Sequence, residues 1–142
     1  MPSVHDVARF ILQERGEMTA MKLHKLLYYA QAWNLVWDEK PLFTQRIEAW
    51  ANGPVVPAVY ALHRGRFAVA SWPKGSVDNL SAKQQRHIRS VLKFYGGKTA
   101  QWLSELTHRE QPWVVARKGL APFARGDREI TTAAMHEYYS SL

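Results

Sequence analysis

A mainly helical single domain, α+β only through one small hairpin or short sheet, is the fold class this sequence predicts. Three observations carry it. The stretch Thr19 to Trp37 is apolar on nearly every helical face. Further stretches repeat apolar residues at three-and-four spacing behind serine or threonine caps. Arg46 to Ala51 alternates with period two, and Phe67, Val69 and Trp72 alternate more weakly.

The chain has 142 residues, enough for one domain that buries roughly two-thirds of the surface its unfolded form exposes. Hydrophobic residues make up 46% and aromatic residues 12%, with six tryptophans, a composition that folds. There is no cysteine, which excludes disulfides, thiolate metal sites and cysteine nucleophiles. Absence of cysteine and of a hydrophobic leader fits a cytoplasmic protein. A net charge of +7 and a pI near 9.9 favour an acidic partner, either nucleic acid or an acidic protein surface.

In order, Ser3 caps a first helix with Asp6 in its opening turn and Val4, Val7, Ala8, Ile11 and Leu12 on one stripe; Gly16 ends it. Thr19 then caps the central helix, about 19–37, whose apolar run is interrupted by Gln31 and Asn34 and is too short to span a bilayer. Helix, glycine turn and helix outline a helix-turn-helix, but a second helix carrying Leu, Tyr and Trp beyond Lys25 suits packing rather than a DNA groove.

Leu42-Phe43 and Arg46 to Ala51 read as a hairpin around Thr44-Gln45. Asn52 to Pro57 is a glycine-proline turn, and the next helix starts at Pro57, carrying Val59, Tyr60, Leu62 and His63 up to Gly65. Ser81 and Gln84 form a capping box for an amphipathic helix with Ile88, Val91, Leu92 and Tyr95 inside and Lys83, Arg86, Arg89 and Lys93 outside. After Gly96-Gly97 a short helix covers about Lys98 to Leu106, burying Ala100, Leu103 and Leu106. A polar bend leads into another at Pro112 that ends near Gly119. Ile130 adds a strand residue, and Thr131 caps a last helix with Ala134, Met135, Tyr138 and Tyr139.

No assembled catalytic motif emerges, so a non-enzyme is expected. Gly96-Gly97-Lys98-Thr99 lacks the upstream glycine and the strand of a phosphate loop. His108 and Glu110 lack the cysteines of a zinc deaminase. The histidines show no one-turn pairing for a metal, and no cofactor is expected. Trp50, Tyr60 and Trp113, beside turns, are either core residues or a protein-binding patch. The stripe Lys83, Arg86, Arg89 and Lys93 is either a solvated face or a nucleic-acid contact, without interleaved aromatics for stacking.

The blocks Lys22-Leu23-x-Lys25-Leu26-Leu27-Tyr28-Tyr29-Ala30-Gln31-x-Trp33, Pro41-Leu42-Phe43, and Ile47-Glu48-Ala49-Trp50-x-x-Gly53-Pro54-Val55-Val56-Pro57-x-Val59-Tyr60 closely resemble the Panacea domain. Leu103-Ser104-x-Leu106-Thr107-His108-x-Glu110-x-Pro112-Trp113 resembles its C-terminal signature. The family, also called SocA-like and including phage-associated GepA proteins, supplies bacterial antitoxins. The resemblance implies neutralisation of a cognate toxin, encoded by an adjacent gene, through direct protein contact in a type II toxin–antitoxin system, in a prophage or phage-defence setting. Some relatives act as adaptors that deliver the toxin to a ClpXP-type protease. Many carry an added DNA-binding domain, for which this chain has no room. The toxin-facing surface is expected to draw on Trp50, Gly53, Pro54, Val55, Pro57 and Tyr60 and on His108, Glu110 and Trp113. The basic side chains would steer an acidic toxin patch. The alternative is a nucleic-acid-binding regulatory module using the basic helix face.

Overall fold

The computed structural model describes all 142 residues. Helix α1 covers Val4–Arg15 and α2 covers Ala20–Asp38. The hairpin strands β2 and β3 are Glu48–Trp50 and Gly53–Val55, and α3 follows at Pro57–His63. Two two-residue strands, β1 (Met18–Thr19) and β4 (Ala68–Val69), pair antiparallel. A 3-10 turn at Val77–Asn79 leads to α4 (Ala82–Tyr95), α5 (Ala100–Thr107), α6 (Gln111–Ala116) and α7 (Thr132–Ser140).

Helix α2 is the axis of the fold: α1, α4, α5, α7 and the hairpin all pack on it. From Leu23 to Ala32 every residue is buried, the expected fate of a helix apolar all round. The two polar residues that interrupt its run are buried as well, and each has work to do. Gln31 accepts from the Leu42 N–H at 2.7 Å and donates to the Phe43 carbonyl at 2.8 Å, while Asn34 donates to the Lys40 carbonyl at 2.9 Å. They hold the loop that follows the helix against its own C-terminal half, replacing the water their amides would otherwise lose.

Local chemistry sets the helix starts. Ser3 and Asp6 form a capping box on α1, and Ser81 and Gln84 form one on α4, each closing two otherwise orphaned backbone donors. Thr19, Thr99 and Thr131 cap α2, α5 and α7 through their hydroxyls. The inward face of α4 is Ile88, Val91, Leu92 and Tyr95, as its periodicity predicts.

The hairpin differs from expectation. Its turn lies at Ala51-Asn52, not Thr44-Gln45, and the partner of Glu48–Trp50 is Gly53–Val55, not Leu42-Phe43. Leu42 and Phe43 are core residues pinned by Gln31. Pro54 lies opposite Ala49, acceptable in a two-stranded sheet because no third strand needs its missing N–H. Helix α5 begins two residues later than expected and runs through Thr107; α6 stops at Ala116, short of Gly119. The strand residue expected at Ile130 is a bridge one position earlier, Glu129 to Glu48, supported by the Ile130 N–H donating to the Ile47 carbonyl at 2.8 Å.

Candidate functional site

Two segments far apart in sequence meet over one end of α2. The first is the hairpin and the start of α3. Gly53 has φ of 124°, and a Cβ there would stand 2.7 Å from Lys25 Cε, so glycine alone fits both the backbone and the neighbour. The following turn is tied to α2 by the Val56 N–H, which donates to His24 Nδ1 at 3.1 Å. Because Nδ1 accepts, the proton of neutral His24 sits on Nε2, which donates to His63 Nε2 at 2.7 Å. The remaining proton of His63 is then on Nδ1, which is buried without a partner. Burial and the facing His63 hold His24 well below the ordinary imidazole range, so the pair stays neutral and the chain of donors stays intact.

The second segment is the bend from α5 into α6. Thr107 Oγ1 donates back to the Ser104 carbonyl at 2.8 Å, Glu110 occupies the N-cap position of α6, and Pro112 lies in its first turn. The His108 ring stacks on Trp113 with centroids 4.0 Å apart and planes at 14°. The Trp113 indole N–H crosses to the first segment and donates to the Trp50 carbonyl at 2.9 Å. Trp50 in turn meets Tyr60 edge-on at 5.0 Å.

Arginines complete this face. The buried Arg117 guanidinium donates to the carbonyls of Ala49, Ala121, Ala124 and Arg125, at 2.6 to 3.1 Å. It thereby draws the irregular segment after α6 over the hairpin. On that segment the exposed Arg125 lies 3.9 Å above the Trp50 ring and 5.9 Å from that of Tyr60. Trp50, Tyr60 and Trp113 are each half-buried. Pro57 is partly buried beside them; Gly53, Pro54 and Val55 are buried and shape the surface without forming it.

Beneath this face lies Lys25, 1% exposed, with its ammonium near Gly53 and Thr107 and no carboxylate partner. Burial lowers its pKa to about 8. His108 is lowered by burial first, then by the charges of Lys25 and Arg117, and its Nε2 has no partner.

Glu110 belongs to a different neighbourhood, although the sequence places it two residues from His108. Its Oε1 accepts from Tyr29 at 2.6 Å and from Tyr139 at 2.8 Å. Since the Tyr139 proton is committed to Glu110, Tyr28 donates to Tyr139, at 3.0 Å. The carboxylate thus ties the bend to α2 and α7. Burial raises its pKa, against the lowering effect of the two hydroxyls.

The basic stripe on α4 is partly spoken for. Lys83 pairs with Asp38 at 2.6 Å and Arg89 with Glu14 at 2.8 Å, while Arg86 and Lys93 make no ion pair. No group of three or more His, Asp or Glu side chains converges as a metal site. No helix is long and apolar enough to cross a membrane.

Sequence reasoning placed Trp50, Tyr60, His108 and Trp113 together, and it missed Lys25, Arg117, Arg125 and the His24–His63 contact. Lys25 left one signal, a cation within the apolar central stretch. The two arginines left none, because their partners are backbone carbonyls and aromatic rings far along the chain.

A family model described as the antitoxin SocA-like Panacea domain matches residues 23–114. That span runs from α2 through the hairpin and the bend to Trp113, and so contains both segments of the face. No curated protein and no solved structure matches.

Proposed function

The chain belongs to the SocA-like antitoxin Panacea domain family, and from that premise we propose that it neutralises a toxin protein by direct contact through the face of Trp50, Tyr60, Trp113 and Arg125. The observation that carries this reading is the hydrogen bond from Trp113 to the Trp50 carbonyl, with Arg125 stacked on Trp50, which locks the two segments into one half-open aromatic surface. Tryptophan, tyrosine and arginine dominate binding energy at protein interfaces. Here they are held before any partner arrives, which reduces the ordering cost of association. The net charge of +7 favours an acidic patch on the toxin.

The test is co-expression of the tagged chain with the product of the adjacent gene, followed by purification in high salt with nuclease. A stoichiometric complex and rescue of growth from that product's toxicity are expected. A lone protein with no rescue would overturn the reading. Toxin lifetime in cells with and without a ClpXP-type protease separates delivery, which shortens it, from plain inhibition, which does not.

A further inference from the structure

A cleft of about 410 Å³ lies between the end of α2, the end of α4 and the bend. This volume falls within the range of small-molecule sites. Its walls are Trp33, Trp37, Phe94 and Tyr95, with Leu106 and the chain-terminal Leu142 beside them, and its one side-chain carboxylate is Glu110. None of these residues belongs to the Trp50, Tyr60, Trp113 and Arg125 face.

The walls are built, not collapsed. The Trp33 indole N–H donates to the Tyr95 hydroxyl at 2.9 Å, and Tyr95 stacks on Tyr29 at 4.1 Å with planes 9° apart. Trp33 and Trp37 meet at 5.6 Å. The rim stays open: Trp37 is 45% exposed and Phe94 62%. Glu110 is 6% exposed, and both of its protein donors, Tyr29 and Tyr139, go to Oε1. Oε2 receives no donor from the protein.

A carboxylate on the wall of an aromatic cleft, one of its oxygens without a protein donor, selects among ligand chemistries. An anion is repelled. A wholly apolar occupant strips the water from Oε2 and gives nothing back, an unfavourable exchange. An ammonium on an apolar body donates to Oε2 while its carbon skeleton lies against the rings, and the ring faces attract the same positive charge. We propose that the cleft over Glu110 is a binding site for a small organic cation, an ammonium group carried on an apolar body.

The probe is protonated phenethylamine, with 2-phenylethanol as its neutral counterpart of the same shape, titrated calorimetrically into the full-length chain at neutral pH. Saturable binding of the amine on the order of tenfold tighter than the alcohol is expected. Glu110→Gln, which still accepts from both tyrosines, should erase that preference. Phe94→Ala, at the exposed rim and outside the core, should weaken the amine without altering the thermal midpoint. Equal affinity for amine and alcohol, no saturable binding of the amine, or a preference that survives Glu110→Gln would each overturn the assignment.

Discussion

The indole of Trp113 donates to the carbonyl of Trp50 at 2.9 Å, 63 residues away in the chain. This contact joins the hairpin to the bend and sets the angle between the two halves of the proposed toxin-binding face. Trp113→Phe keeps the stack on His108 but leaves the Trp50 carbonyl without its donor. A loss of about 1 kcal/mol in denaturant unfolding is expected, against about 3 kcal/mol or more for Trp113→Ala.

Arg125 lies over Trp50 from an exposed position. Arg125→Ala is therefore expected to change stability by no more than about 0.5 kcal/mol while weakening toxin binding by about 1–2 kcal/mol. Unfolding curves and calorimetric titration of the purified complex read the two effects separately. Equal loss in both would place Arg125 in the fold alone.

Lys25 makes stability depend on pH in a definite direction. Its folded pKa, about 8, lies below the ordinary 10.5, so between those values the unfolded chain binds more protons than the folded one. Stability then rises as pH climbs from 8 towards 10.5, and the cost of burying the ammonium is fully present below 8. Lys25→Met should stabilise the protein at pH 7 by up to about 3 kcal/mol and flatten the rise. Urea midpoints of both proteins across this range decide it.

Glu110 gives the opposite pH slope. Burial raises its pKa, so the folded state prefers the protonated acid and stability declines as pH rises from the unfolded carboxyl's range through the raised value. Glu110→Gln retains an acceptor for Tyr29 and Tyr139 and carries no charge. Its thermal midpoint at neutral pH is expected to equal or exceed that of the parent, with the carboxyl's slope removed.

Arg86 and Lys93 make no ion pair, so reversing their charge tests steering without breaking a contact. The Arg86→Glu, Lys93→Glu protein should associate with its toxin several-fold more slowly at low salt, and the difference should shrink by ~0.15 M salt, where screening acts over about 8 Å. An unchanged association rate would remove steering from the account.

How far the sequence could be read follows the range of each interaction. Caps act within three residues, and Ser3, Thr19, Ser81 and Thr131 were all legible. The burial of α2 was legible because apolar residues fill most of its faces beyond the first two turns, interrupted by Gln31 and Asn34. The hairpin was misread because Pro54 argues against a strand, and only the finished two-stranded pair shows that its missing N–H costs nothing there. The pairing of β1 with β4 rests on two residues per strand, and only the weak alternation of Phe67, Val69 and Trp72 marks it in the sequence. In the candidate face the aromatic members stood out, whereas the split of the bend did not. His108 turns toward Trp113 and Glu110 toward the tyrosines, a divergence set by the α6 N-cap geometry, which spacing alone does not reveal.

The Arg117 cluster has a dynamic consequence. Four carbonyls from two stretches of chain, Ala49 and the segment after α6, converge on one guanidinium, and the segment between Ala121 and Asp127 forms no helix or strand of its own. Such a segment opens at a free energy well below that of global unfolding, releasing the Arg117 bonds together with the Ala51 N–H bond to the Arg125 carbonyl at 3.0 Å. Amide hydrogen exchange in that stretch should thus report one shared opening. Each opening carries Arg125 away from Trp50, so the ring alternates between a covered and a bare form.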